Sequence, residues 1–166
     1  SGARARIARE PVRRRSRAAG VSGGAGFANP GLDAIRARLA QVKSIAVLGL
    51  SASPGRPSHG VALGLQGLGY RIVPVNPRVQ HALGLPAYAT LDELPAVPEL
   101  VDVFRAPEHV AGIVDDCIRL GVPALWLQDG VIDAAAARRA QAAGIFVVMD
   151  RCLWRDCVQL GVRAAC

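Results

Sequence analysis

The residues best suited to meet a ligand fall in four short stretches. The first is Gly49-Leu50-Ser51-Ala52-Ser53-Pro54-Gly55-Arg56-Pro57-Ser58-His59-Gly60, which combines small residues, three hydroxyls and one arginine ahead of a helical pattern. Small residues let backbone N–H groups approach an anion, and a helix N-terminus behind them favours negative charge. Phosphate suits such a loop, although an ordinary polar loop has the same composition. Neither G-x-G-x-x-G nor the Gly-Lys-Ser/Thr of a P-loop is present. The second stretch is Pro74-Val75-Asn76-Pro77-Arg78. Domains that bind NAD place a carboxylate here for the ribose diol. A neutral Asn76 between prolines, followed by Arg78, suits a ribose phosphate better and argues against NAD.

The third and fourth stretches are Val101-Asp102-Val103-Phe104-Arg105-Ala106-Pro107 and Trp126-Leu127-Gln128-Asp129-Gly130. Phe104 offers a face to a base or an apolar arm, Arg105 a charge to phosphate, and Gln128 with Asp129 polar edges to adenine or ribose. Each also has a plainer role, in the core or on the surface, and only their shared position at strand ends lifts them together. Catalytic groups are scarce. His59, His81 and His109 have no carboxylate or nucleophile partner in the sequence, and Ser51, Ser53 and Ser58 lack the nucleophile-elbow pattern. Cys152, in Asp150-Arg151-Cys152, is the one thiol near these ends, and a buried structural cysteine is its ordinary reading. Cys117, Cys152, Cys157 and Cys166 form no CxxC pair and have no histidine at metal-ligand spacing, so no metal site is expected.

The stretches are held by a regular alternation. Leu32, Ile35 and Leu39 predict a short leading helix ending near Gln41. Strands are predicted at Ser44–Leu48, Arg71–Val75, Leu100–Phe104, Ala124–Leu127 and Ile145–Met149. Between them, helices are predicted over His59–Leu68, from Pro107 to a stop at Gly121, and from an Asp133 cap to Gly144, with a last one over Leu153–Leu160. Arg78–Ala89 shows turn residues without a period, and Thr90 with Glu93 predicts a capping box for a one-turn helix over Leu91–Leu94. Five strands separated by crossover helices require a parallel sheet. The expected fold is therefore α/β, a doubly wound five-stranded sheet of Rossmann-like type, with strand order 3-2-1-4-5 and its switch point between the first and fourth strands.

Charge separates the chain into two parts. Residues 1–30 carry seven arginines against Glu10, which accounts for +6 of the formal +7. Residues 31–166, the expected domain, are thus nearly neutral. The Arg-, Ala- and Gly-rich first part reads as a disordered tail; organelle transit peptides and basic arms that touch nucleic acid without sequence preference share its composition. Nucleic-acid binding is expected from that tail alone, if at all. No apolar run approaches the roughly 20 residues needed to span a bilayer, so no membrane partner is expected. Unpaired cysteines favour a reducing, cytoplasmic compartment.

Taken in order, Gly49-Leu50-Ser51, Arg56-Pro57-Ser58, Pro74-Val75-Asn76-Pro77, Asp102-Val103-Phe104-Arg105, Trp126-Leu127-Gln128-Asp129-Gly130 and Met149-Asp150-Arg151-Cys152 resemble the stand-alone CoA-binding domain family, similar to the CoA-binding domain of the succinyl-CoA synthetase alpha subunit. The resemblance spans residues 35–160. It implies coenzyme A, or an acyl-CoA, as ligand at the carboxyl ends of the strands. Gly49 and the Ser51-Ala52-Ser53 loop with Arg56 would then hold the pyrophosphate. Asn76, Pro77 and Arg78 would face the 3′-phosphate side. Phe104 and Arg105 would flank the cofactor, and Leu127, Gln128 and Asp129 would meet adenosine or pantetheine. Two features depart from the family: Asp129 stands where an apolar residue is usual, and Leu153-Trp154-Arg155-Asp156-Cys157 replaces a Glu-His pair. The synthetases' phosphohistidine segment and nucleotide-grasp domain are absent. A carrier, sensor or regulatory module without chemistry of its own is the leading expectation. The alternative is a small CoA- or nucleotide-dependent oxidoreductase or transferase, with His59 as its general base.

Overall fold

The computed structural model describes residues 26–166. The tail expected over residues 1–30 lies largely outside this range. Five helices, α1 (Leu32–Gln41), α2 (Pro57–Gly67), α3 (Val110–Leu120), α4 (Ala134–Ala142) and α5 (Leu153–Leu160), alternate with strands β1 (Ser44–Leu48), β2 (Arg71–Val75), β3 (His81–Ala82), β4 (Leu85–Pro86), β5 (Leu100–Val103), β6 (Ala124–Leu127) and β7 (Phe146–Val148). Five of these strands form the expected parallel sheet, in the order β2-β1-β5-β6-β7. Its residues are buried on both faces, as crossover helices require. Ala46, Val101, Val103, Leu125 and Val147 pack beneath α3 and α4. Ile45, Val47, Ile72, Trp126 and Val148 pack on the other face, beneath α1, α2 and α5.

The strand order corrects the expectation. Counted along the chain, the five long strands stand 2-1-3-4-5, so the third strand lies beside the first, and the second is not between them. The cause is Pro74. Arg71 N–H donates to Lys43 O and Gly49 N–H to Val75 O (2.8 Å each), so these β2 residues face β1. Pro74 therefore faces outward and offers no N–H to a further strand, a position proline takes only at a sheet edge. Its carbonyl accepts Tyr88 N–H (3.0 Å), and Asn76 N–H donates to Tyr88 O (2.8 Å), which covers that edge.

The stretch without a period contains the small antiparallel hairpin β3–β4, turned by Leu83 and Gly84, both at positive φ. The capping box expected at Thr90 does not form: the Thr90 hydroxyl makes no cap, and Glu93 Oε2 accepts the N–H of Ala89, one residue before the cap (3.0 Å). Asp133 caps α4 as expected, accepting Ala136 N–H at 3.0 Å. The folded part also starts before residue 31. Asn29 Nδ2 donates to Met149 O (3.0 Å) and Met149 N–H donates to Asn29 Oδ1 (2.8 Å), so one side chain caps the outer side of the chain just past β7, and Phe27 packs on the core.

Candidate ligand-binding site at the strand ends

In a parallel sheet the carboxyl ends of all strands lie together, and here they form one ledge. Gly49 N–H donates to Val75 O (2.8 Å), Phe104 N–H to Leu48 O (2.9 Å), Gln128 N–H to Val103 O (3.3 Å) and Arg151 N–H to Leu127 O (3.4 Å). The chain direction of the crossovers reverses between β1 and β5, so the switch point lies at Gly49, Phe104 and Arg105. Gly49 has φ +81°, and a Cβ there would sit 2.6 Å from the Phe104 carbonyl oxygen. Only glycine lets β1 end this close to β5.

The loop after Gly49 is organised by its own hydroxyls. Buried Ser58 accepts Ser51 N–H on Oγ (2.9 Å), and Ser51 Oγ accepts Ser53 N–H (3.1 Å). Two N–H groups that the sequence offers to an anion are thus used within the loop, and Ala52 and Ser53 lie on its exposed side. Asn76 ties the second strand end to this loop: its Nδ2 donates to Leu50 O (3.1 Å) and its Oδ1 accepts Arg78 N–H (2.9 Å). Among the described residues, Arg119, Arg139, Arg151 and Arg155 form ion pairs; Arg56, Arg78 and Arg105 do not, nor do Arg36, Arg38, Arg71, Arg138 and Arg163, but only the first three line the hollows at the strand ends. Unpaired guanidinium groups gathered at one end of a sheet attract a polyanion.

Three hollows meet here. Gly49, Ser51, Arg56, Asn76, Arg78 and Phe104 line one of about 400 Å³. Beyond Phe104, a second of about 570 Å³ is lined by Val61, Arg105, Gln128, Asp129, Val131 and Cys152. On the α3 side, Leu48, Val75, Pro77, Leu91, Arg105 and His109 border a third of about 470 Å³. Phe104 stands between the first two, and Arg105 between the second and third. The fold thus brings most of the expected residues together. Three are not among them: Leu127 is fully buried in the core, and Ala52 and Ser53 lie on the exposed side of the loop and line none of the hollows. Val61, Val131 and His109 were not expected. Their apolar or isolated character in the sequence carried no ligand signal.

The two departures from the family pattern are partners of each other. Arg155 forks onto Asp129, with NH1 to Oδ2 and NH2 to Oδ1 both at 2.9 Å, and holds that carboxyl below its usual range. Asp129 is therefore engaged by α5. Just beneath, buried Asp156 accepts Arg151 Nε (2.5 Å) and NH2 (2.9 Å), while Trp126 Nε1 donates to Arg151 O (2.7 Å). Cys152, 8% exposed, borders the second hollow. Cys117 and Cys157 are pushed up to about 12 by burial and lie in the core.

Asp102 is wholly buried, and burial pushes its carboxyl up to about 8. A folded value above the unfolded one means its contribution is fully present below about pH 4 and lost as pH rises toward 8. The slope is about 1.4 kcal/mol per pH unit. Denaturant titrations should show the unfolding free energy of Asp102→Asn gaining on the native protein by that amount per unit between those limits.

Comparison with known proteins decides the family. The model described as the CoA binding domain matches residues 43–157. The chain belongs to the CoA-binding domain family. YneT of Bacillus subtilis (strain 168), an uncharacterized protein, is 37% identical over 125 residues, covering 75% of this chain and 93% of YneT. Among solved structures, cell-free ID.343 from Thermus thermophilus is 38% identical with a TM-score of 0.75, over 79% of this chain and 99% of that one. The dinucleotide-forming acetyl-coenzyme A synthetase 1 of Ca. Korarchaeum cryptofilum, in complex with phosphate and ADP, is 25% identical with a TM-score of 0.59. That likeness covers 67% of this chain and 26% of the synthetase. Chains similar to this one thus include small separate proteins and part of a larger enzyme. Among the described residues, no helix is long and apolar enough to cross a membrane.

Proposed function

We propose that this CoA-binding domain protein binds coenzyme A, or an acyl-CoA, across the ends of β1, β2, β5 and β6, as a carrier, sensor or regulatory module without chemistry of its own. The observation that carries this reading is the grouping of unpaired Arg56, Arg78 and Arg105 around hollows walled by Phe104, Val61 and Val131. Three cations suit the 3′-phosphate and pyrophosphate, and the apolar walls suit the pantetheine arm. Arg78 takes the 3′-phosphate side and Arg56 the pyrophosphate. The neutral end of β2 gives a ribose diol no carboxylate, which disfavours NAD. Four unpaired thiols fit a reducing compartment such as the cytoplasm.

Isothermal titration with CoA, dephospho-CoA and NAD tests the reading. CoA should bind tightest. Arg78→Ala should weaken CoA about tenfold, the value of one charge-assisted contact, and remove the preference over dephospho-CoA. Absence of heat with CoA, or tighter binding of NAD, refutes it.

A further inference from the structure

Asp102 sits at the centre of the sheet, level with Val47 on β1 and Trp126 on β6, both buried and apolar in their packing. A valine or leucine there would fill the same space without the cost of taking a carboxyl out of water. The acid makes one side-chain hydrogen bond: Gln128 Nε2 donates to Asp102 Oδ1 at 2.8 Å. Oδ2 is fully buried and has no partner among the described residues. Such a group weakens the fold, and its single partner borders the second hollow of the site. Gln128 is itself 3% exposed. Its Oε1 makes no hydrogen bond with the described residues, and Gln128 lines the second hollow. The amide therefore spends one of its two N–H donors inward and leaves its acceptor for the cavity.

We propose that Asp102 is a positioning residue for ligand recognition: it holds Gln128 Nε2 within the sheet, commits Oε1 to the hollow as an acceptor, and so selects a ligand bearing an N–H donor at that point. This rests on the CoA reading above. CoA carries such donors in two places, the amides of pantetheine and the exocyclic amine of adenine. Without Asp102, the amide of Gln128 is free to turn, and the ligand meets a donor or an acceptor without preference.

The test uses the full chain with Asp102→Leu, Asp102→Asn, Gln128→Leu and the double Asp102→Leu/Gln128→Leu variant. Asp102→Asn keeps an acceptor for Nε2 and should hold CoA affinity within about threefold of the native protein. Asp102→Leu and Gln128→Leu should each cost about tenfold, the value of one hydrogen bond, and the double variant should cost no more than Gln128→Leu alone. Titration with adenosine 3′,5′-bisphosphate and with 4′-phosphopantetheine identifies the donor, since only the fragment bearing it should feel the substitutions. A ligand-free readout separates this inference from the CoA reading. In the native protein the Gln128 side-chain amide protons should exchange slowly with solvent by NMR, and in Asp102→Leu they should exchange fast. Slow exchange in Asp102→Leu, native CoA affinity in that variant, or fully additive losses in the double variant overturns the proposal. Lack of CoA binding by the native protein, with the exchange result as expected, refutes the CoA reading alone.

Discussion

Gly49→Ala is expected to remove measurable CoA binding and to destabilise the fold by roughly 2–4 kcal/mol, read by titration calorimetry and denaturant unfolding. Two costs add. A residue with a Cβ at φ +81° is strained by about 1–3 kcal/mol. The new atom also meets the Phe104 carbonyl at 2.6 Å, and a backbone neighbour cannot swing aside as a side-chain tip does. Either β1 or β5 must retreat at its end, which moves Phe104 and Arg105 away from the loop of Ser51 and Arg56. A displacement of about 1 Å costs on the order of a hundredfold in a preorganised site. Gly55→Ala is the matched control. Its Cβ would meet nothing within 4 Å, and it should bind CoA with near-native affinity.

Asp156→Ala carries the second large effect. Its carboxylate is 1% exposed and accepts two hydrogen bonds from Arg151, whose side chain is 34% exposed. Breaking a buried pair from one side costs about 3–5 kcal/mol. The partial exposure of Arg151 lets water relieve part of this, so the expected loss is near 3 kcal/mol, a fall of about 10 °C in Tm. Ligand binding should suffer less. The Arg151 carbonyl is still held by Trp126, and Asp150 still accepts Gly130 N–H at 2.8 Å, so the rim beside Cys152 keeps two of its ties.

The elements of the fold were legible because each long strand is a short apolar run set off by glycine or proline, and because the helices carry apolar stripes. The strand order was legible too, in one residue: Pro74 in the middle of an apolar run marks an edge strand. An order that buries the second strand ignores the missing donor. The β3–β4 hairpin was hidden because Leu83, a residue rarely found at positive φ, occupies a turn position where asparagine or aspartate is usual. The site was readable as a set of strand ends, since the parallel sheet dictates where they meet. Which groups remain free there was not readable. Ser51, Ser58 and Asn76 spend their polar atoms on the loop, and Asp129 is paired with an arginine 26 residues away. Asp102 was visible as a buried acid only once both neighbouring strands were known.

The two sheet edges have a consequence for how the molecule meets copies of itself. An open strand edge presents unused N–H and C=O groups that a second chain can extend into a continuous ladder. Here one edge faces outward through a residue with no N–H, and its carbonyl is already occupied by Tyr88. The other is stopped by a single amide, Asn29, that bonds Met149 on both sides as a neighbouring strand would. The β2 edge is thus covered along its length, and the β7 edge is capped at its end. Exchange of Asn29 for alanine would reopen that end, and with it a route to edge-to-edge aggregation.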